Sequence, residues 1–223
     1  MASHLDLEEQ EQLDELKHFW KRWGDLITWL LIVVLGGYAA WMGWQSYQVK
    51  QAAQSAVLYD TVERAALSND IALLDRSVGD IKDKFASTTY AQQAALLAAR
   101  VYQDKNRASD AKTQLVWVID KASDEGYQAL ARLRLAALLI EEKAYDEARK
   151  QLTAKTPEAF APLMADRLGD LAMLQSQPAE AVQQYKNAWK GLEPSAEYRR
   201  LVAVKLAALG ADPEDKPRAE TNK

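Results

Sequence analysis

The sequence predicts an all-α protein: a single N-terminal transmembrane helix, then an α-solenoid of stacked helical pairs. Three observations carry this. An uncharged apolar stretch lies between Asp25 and Lys50. Beyond it, apolar residues recur at spacings of three and four, with no period-two alternation bounded by hairpin turns. Helix–turn–helix windows then repeat at intervals of 37 and 33 residues.

The apolar stretch, "WGDLITWLLIVVLGGYAAWMGW", covers residues 23–44. Its densest part, 26–44, would extend roughly 28 Å as a helix, against about 30 Å of bilayer hydrocarbon. A soluble core helix of this length needs a polar stripe, and only Thr28 is polar before Gln45. Gly36, Gly37 and Gly43 weaken a helix in water but are common in membrane spans. Five of the seven tryptophans fall between positions 20 and 44. Trp20, Trp23 and Trp29 lie toward one end, and Tyr38, Trp41, Trp44 and Tyr47 toward the other, as two interfacial belts would. Trp23, Trp29, Trp41 and Trp44 are therefore the expected anchor residues. A cleaved signal peptide fits poorly. The lead is long and acidic, and bulky aromatics stand where cleavage needs small side chains.

Lys17, Lys21 and Arg22 lie just before the stretch, and only Lys50 and Arg64 follow closely. The positive-inside rule then puts the N-terminus in the cytoplasm and the large remainder outside. The expected division is a cytoplasmic acidic lead over 1–22, a signal anchor over 23–47, a helical repeat domain over 48–209 and a disordered tail over 210–223. The formal net charge of −4 sits wholly in residues 1–25, which hold seven acids and three bases. The balanced remainder has no electrostatic footprint for nucleic acid. The absence of cysteine excludes disulfides, thiolate catalysis and thiolate metal sites.

Leu13, Leu16, Trp20 and Trp23 share one helical face of the lead, with Lys17 and Lys21 beside it. This is either an amphipathic helix on the headgroups or the start of the span. After the span, 45–67 contains no Gly or Pro, so the helix is expected to run on into the following domain and hold it near the bilayer. Further helices are expected over 71–85, 90–103, 108–122, 127–142, 145–153, 159–174, 179–190 and 195–209, with Asp70, Asp124 and Ser195 as N-caps.

Three windows repeat. "ALLAARVYQDKNRASDAKTQLVWVI" begins at Ala95, "RLRLAALLIEEKAYDEARKQLTAK" at Arg132, and "ADRLGDLAMLQSQPAEAVQQYKNAW" at Ala165. Each is a helix, a polar turn and a helix with alanine near its start, placing Ala111, Ala148 and Ala181 in register. This period and pattern match the tetratricopeptide repeat, a helical pair of about 34 residues. The third copy is fullest, with Leu168, Gly169, Ala181, Tyr185, Ala188 and Pro194. Small residues are needed where helices A and B of one pair cross closely. Residues 45–85 are expected to form a degenerate first pair, and 195–209 a capping helix.

The order of these segments resembles the YfgM family. The resemblance covers nearly the whole chain: the acidic lead with "LKHFWKRWG", the Gly- and Trp-containing span, "YQVKQAAQSAVLYD" after it, and the repeat segments "FASTTYAQQAALLAARVYQDKN", "LRLAALLIEEKAYDEA" and "ADRLGDLAMLQSQPAEAVQQY". It implies a single-pass protein of the bacterial inner membrane with its repeat domain in the periplasm. It implies association with the SecYEG translocon and a PpiD-like periplasmic chaperone, and help in handing over exported proteins, themselves candidate partners. It also links members to a cytoplasmic stress-response regulator, so two other readings stay open. One is a membrane-tethered regulator acting through the N-terminal segment. The other is a general assembly scaffold. Ser176 departs from the glycine that repeats often carry in the A–B turn.

The residues suggest no enzyme. The two histidines, His4 and His18, precede the span and lack partners at ligand spacing. No Gly-rich phosphate loop or GxSxG motif occurs, and no Ser-His-Asp set can be assembled beyond the span. Glu141-Glu142 and Asp124-Glu125 read as solvated helix ends. No cofactor, metal or small-molecule substrate is expected. What remains is a protein-binding surface on the concave face lined by the A helices. Candidates there are Leu96, Arg100, Gln103, Leu133, Ala137, Ile140, Asp166, Asp170 and Met173. The same spacing suits packing residues between neighbouring repeats.

Overall fold

A computed structural model describes residues 7–214. The chain divides into two compact units, Met1–Ala53 and Gln54–Lys223, and helix α1 (Leu7–Leu67) contributes to both. In the first unit α1 carries the apolar stretch. Its most apolar 18-residue window has a mean hydropathy of 1.8, and none of it is buried. The helix is long and apolar enough to cross a membrane. Trp23, Trp29, Trp41 and Trp44 all project from it exposed, as do Leu13, Leu16 and Trp20. Residues 7–22 of the lead and the apolar stretch are one helix, with no break at Trp23.

The second unit contains the end of α1, then α2 (Ile71–Phe85), α3 (Thr89–Asp104), α4 (Ala108–Lys121), α5 (Glu125–Glu141) and α6 (Tyr145–Leu152). A 3-10 turn (Glu158–Phe160) leads into α7 (Ala161–Leu174), followed by α8 (Pro178–Gly191) and α9 (Glu197–Ala208). Among the described residues there is no strand. The expected helix over 71–85 coincides with α2; the later ones shift by one or two residues at their ends. Asp70 and Asp124 are N-caps, accepting from Leu73 N at 3.0 Å and Gly126 N at 2.7 Å. Ser195 is not one. The turn around it closes through Ala196 N donating to Glu193 O at 3.0 Å, and α9 starts at Glu197 without a side-chain cap. Of the tail expected over 210–223, residues 215–223 lie outside the described range, as do residues 1–6 of the lead.

Four turns share one geometry. Asn69, Asn106, Lys143 and Ser176 each have φ between 55° and 61°. In each, two backbone N–H groups fold back on the preceding helix. At the first, Asn69 N donates to Ala66 O and Asp70 N to Ala65 O; at the last, Ser176 N donates to Met173 O and Gln177 N to Ala172 O. These are Schellman closures, which satisfy the orphan carbonyls at a helix end. A left-handed residue reverses the chain there, and Asn tolerates this conformation better than Lys or Ser. Each turn ends an A helix and starts its B helix, so among the described residues there are four pairs: the end of α1 with α2, α3 with α4, α5 with α6, and α7 with α8.

Small residues stand where three of these pairs close. Ala99, Ala136 and Gly169 on the A helices, and Ala111, Ala148 and Ala181 twelve positions later on the B helices, are all buried. A Cβ at Gly169 would collide with the Tyr185 ring. The first pair instead has Val62 and Leu74 at these positions, both fully buried, which is why its sequence signature is weak. A core cluster runs from Val62 to Leu138; two further clusters centre on Ala136, Ala148 and Leu171, and on Ala181, Tyr185 and Leu206.

Polar ties run within and between the pairs. Tyr102 Oη donates to Asp75 at 2.5 Å, Tyr185 Oη to Asp170 at 2.8 Å and Tyr198 Oη to Asp166 at 2.6 Å. Arg107, Lys112 and Arg149 reach Asp75, Glu142 and Glu180 in neighbouring pairs. Helix α9 is held by a charged cluster. Its Lys205 Nζ lies 2.8 Å and 2.9 Å from the two carboxylate oxygens of fully buried Asp166, and 2.7 Å from Asp170. Burial, followed by the hydrogen bond to an aspartate, raises the pKa of Tyr102, Tyr185 and Tyr198 well above the ordinary tyrosine value. Burial and then the Glu63 charge raise Tyr59 in the same direction.

Three outcomes follow for the full chain in detergent. Gly169→Ala should lower unfolding stability by about 1–3 kcal/mol, the usual cost of overpacking, with Tyr185 fluorescence reporting the displaced ring. Lys205→Met leaves Asp166 buried without its cation and should cost about 2–3 kcal/mol in a denaturant melt; the range is set below the fully buried case because Lys205 keeps some solvent. Tyrosines with raised folded pKa values stabilise fully below their unfolded pKa of about 10, and that stability is lost as pH rises beyond it. Phenolate absorbance of the folded chain should therefore lag behind that of the urea-unfolded chain above about pH 10, and the melting temperature should fall over the same interval.

Candidate functional site

The A helices α3, α5 and α7 expose a row of residues that their B partners do not cover. A cavity of about 230 Å³ lies between α3 and α5, lined by Ala99, Arg100, Gln103, Leu115 and Arg134. The next, of about 290 Å³, has an apolar wall of Leu130, Leu133, Ala137 and Leu163, with Arg134, Arg167 and Tyr198 completing it. Arg134 borders both cavities. Arg100 also borders a third space of about 440 Å³, lined in part by Glu63, Leu97 and Asp104. The three hollows thus border one another at arginine side chains, in a row across the A helices that forms a furrow.

Local geometry fixes these arginines differently. Arg134 Nη1 donates to the backbone carbonyl of Leu96 at 3.1 Å, which holds the side chain against α3. Loss of hydration, and then the neighbouring Arg100 charge, lower its pKa from the ordinary arginine value. A guanidinium remains charged in proteins, so this is a sign of crowded positive charge rather than of neutralisation. Arg167 donates to Asp170 Oδ2 at 3.2 Å and is otherwise exposed. Arg100 is exposed and makes no hydrogen bond or ion pair among the described residues.

The structure disperses the sequence candidates into four settings. Arg100, Gln103, Leu133 and Ala137 line the furrow. Leu96 is buried in the core, and Ile140 packs against the second core cluster, as Leu133 also does in part. Asp166 and Asp170 sit in the ion cluster with Lys205 and two tyrosine hydroxyls, where α9 covers them. Met173 is 40% exposed and borders none of the three cavities. Sequence reasoning passed over Arg134, Arg167, Leu130, Leu163 and Tyr198. One signal was available for two of them: Arg134 and Arg167 are 33 residues apart, nine positions before Lys143 and Ser176, and so occupy the same place in successive repeats. Tyr198 comes from α9, outside the repeat register, and no repeat argument reaches it. Among the described residues no group of three or more His, Asp or Glu side chains could hold a metal ion.

Comparison with known proteins agrees with this architecture. The profile of the tetratricopeptide repeat-like domain family matches residues 17–211. A protein of Neisseria gonorrhoeae named ancillary SecYEG translocon subunit is 33% identical over 213 residues, covering 94% of this chain and 100% of that protein. Proteins of the same name from Haemophilus influenzae and Escherichia coli are 26% and 27% identical, each over 82% of this chain and over 89% and 85% of their own lengths. With the apolar helix, the four helical pairs and these near full-length matches together, the chain belongs to the YfgM family of tetratricopeptide repeat-like proteins.

Proposed function

We propose that the protein is an ancillary subunit of the SecYEG translocon that binds other proteins through its A-helix furrow and performs no catalysis. The observation that carries this is the match over the full length of a relative bearing that name, joined to a repeat domain with an open furrow. In this reading the segment over 23–47 anchors the chain in the bacterial inner membrane. Lys17, Lys21 and Arg22 keep residues 1–22 in the cytoplasm, and the repeat domain over 48–209 works in the periplasm. Its partners are the translocon, a PpiD-like chaperone and exported chains, which it helps to pass from the first to the second. Exposed aromatic residues at both ends of the apolar stretch support the anchor, since their rings are amphipathic and favour the headgroup level. Helical repeats support the binding role, because stacked pairs leave an extended concave surface.

Photocrosslinking in membranes tests this reading. Probes at Gln103, Leu133 and Ala137 should capture SecY and a PpiD-like chaperone, while a probe at exposed Lys150 should not. Failure of the three furrow probes to capture either protein would sink the proposal. Protease protection of the repeat domain in inverted vesicles checks the orientation; digestion there would reverse it.

A further inference from the structure

Three arginines meet in the furrow with more hydrogen-bonding capacity than the fold uses. Arg134 spends one donor on Leu96 O, Arg167 spends one on Asp170, and Arg100 spends none among the described residues. A guanidinium has five donors in a rigid fork that matches a carboxylate. Arg100 and Arg134 line the same 230 Å³ cavity, and Arg134 and Arg167 the same 290 Å³ cavity. Like charges set this close repel one another, and an anion between them turns that repulsion into attraction.

The other charges facing the furrow decide where an anion fits. Glu63 and Asp104 border the 440 Å³ space beside Arg100 and offset its charge there. Asp170 partly satisfies Arg167, while Lys205 answers both Asp166 and Asp170 from α9. No acid lines the two cavities that flank Arg134. Positive character is therefore concentrated around Arg134. Directly beside it, Leu130, Leu133, Ala137 and Leu163 make an apolar wall.

Size selects the kind of ligand. Pockets for small molecules run from about 300 to 1,000 Å³. Cavities of about 230 and 290 Å³, open and joined end to end, instead suit successive side chains of a polypeptide lying along the row. Resting on the reading of this furrow as the protein-binding surface, we propose that it selects polypeptide segments in which acidic and apolar side chains alternate. Carboxylates pair with Arg100, Arg134 and Arg167, and the apolar side chains rest on the Leu130–Leu133–Leu163 wall.

Fluorescence anisotropy on the full chain in detergent tests this with three labelled peptides: an unstructured Glu/Leu alternating peptide, its Gln/Leu counterpart and its Lys/Leu counterpart. The Glu/Leu peptide should bind about tenfold more tightly than the Gln/Leu peptide, and added salt should shrink that gap. Arg100→Gln with Arg167→Gln should remove most of the preference without moving the melting temperature, since neither side chain ties one helix to another. Arg134→Lys should weaken it less than Arg134→Gln. Equal binding of the Glu/Leu and Gln/Leu peptides, or a preference untouched by the arginine changes, overturns the proposal. So does displacement of the Glu/Leu peptide by phosphatidylglycerol vesicles but not by unlabelled Glu/Leu peptide, which would make the arginines a lipid site. Crosslinks to SecY or the chaperone alongside equal peptide binding would leave the translocon reading standing and remove only the charge selection. Glu/Leu preference without those crosslinks would do the reverse.

Discussion

The close approach of paired helices is the constraint on which the repeat domain depends. Ala99 with Ala111, Ala136 with Ala148, and Gly169 with Ala181 keep both sides of each crossing small. Gly169 shows how little room remains, since a single added carbon meets the Tyr185 ring. A left-handed residue at Asn106, Lys143 and Ser176 then turns the chain back within the length of one Schellman closure. Short turns and small crossings together force each B helix against its own A helix. The A helices are left with a face that only the next pair can cover, and stacking leaves part of it open.

That arrangement separates the packed faces from the open furrow. Alanines, leucines and the tyrosine–aspartate ties lie between helices of neighbouring or paired elements. Arg100, Arg134 and Arg167 line the gaps between successive A helices. Asp166 marks the boundary between the two. It sits at an A-helix position of the kind that faces the furrow elsewhere, yet α9 covers it with Lys205 and Tyr198. Helix α9 thereby covers the fourth pair with polar bonds as well as with buried Val202 and Leu206.

Much of this was legible along the chain. The uncharged run between Asp25 and Lys50 reads as a helix long and apolar enough to cross a membrane, and α1 carries it with its apolar side chains exposed. The alanine register located three helical pairs, because a small residue at a crossing is a requirement on one position and survives in linear sequence. The first pair was harder to read, since Val62 and Leu74 replace the small residues there and only the turn at Asn69 keeps the register. Ser195 misled because a capping residue is recognisable only when the chain enters the helix at that point, and here the Glu193–Ala196 turn delays the entry.

The sequence by itself determined the class of fold, the apolar helix and the period of the repeats, and it offered Arg100, Gln103, Leu133 and Ala137, which line the furrow, among its candidates. Each rests on local periodicity or composition, which neighbouring residues impose directly. Only the tertiary structure decided that Leu96 and Asp166 belong to the interior and that Tyr198 reaches the furrow from α9. Only it brought Arg100, Arg134 and Arg167 around shared cavities. Periodicity assigns a residue to a side of its own helix. Whether that side meets water, a neighbouring helix or a capping helix depends on the angle and distance at which the next pair stacks, and those are set by packing across residues more than thirty positions apart.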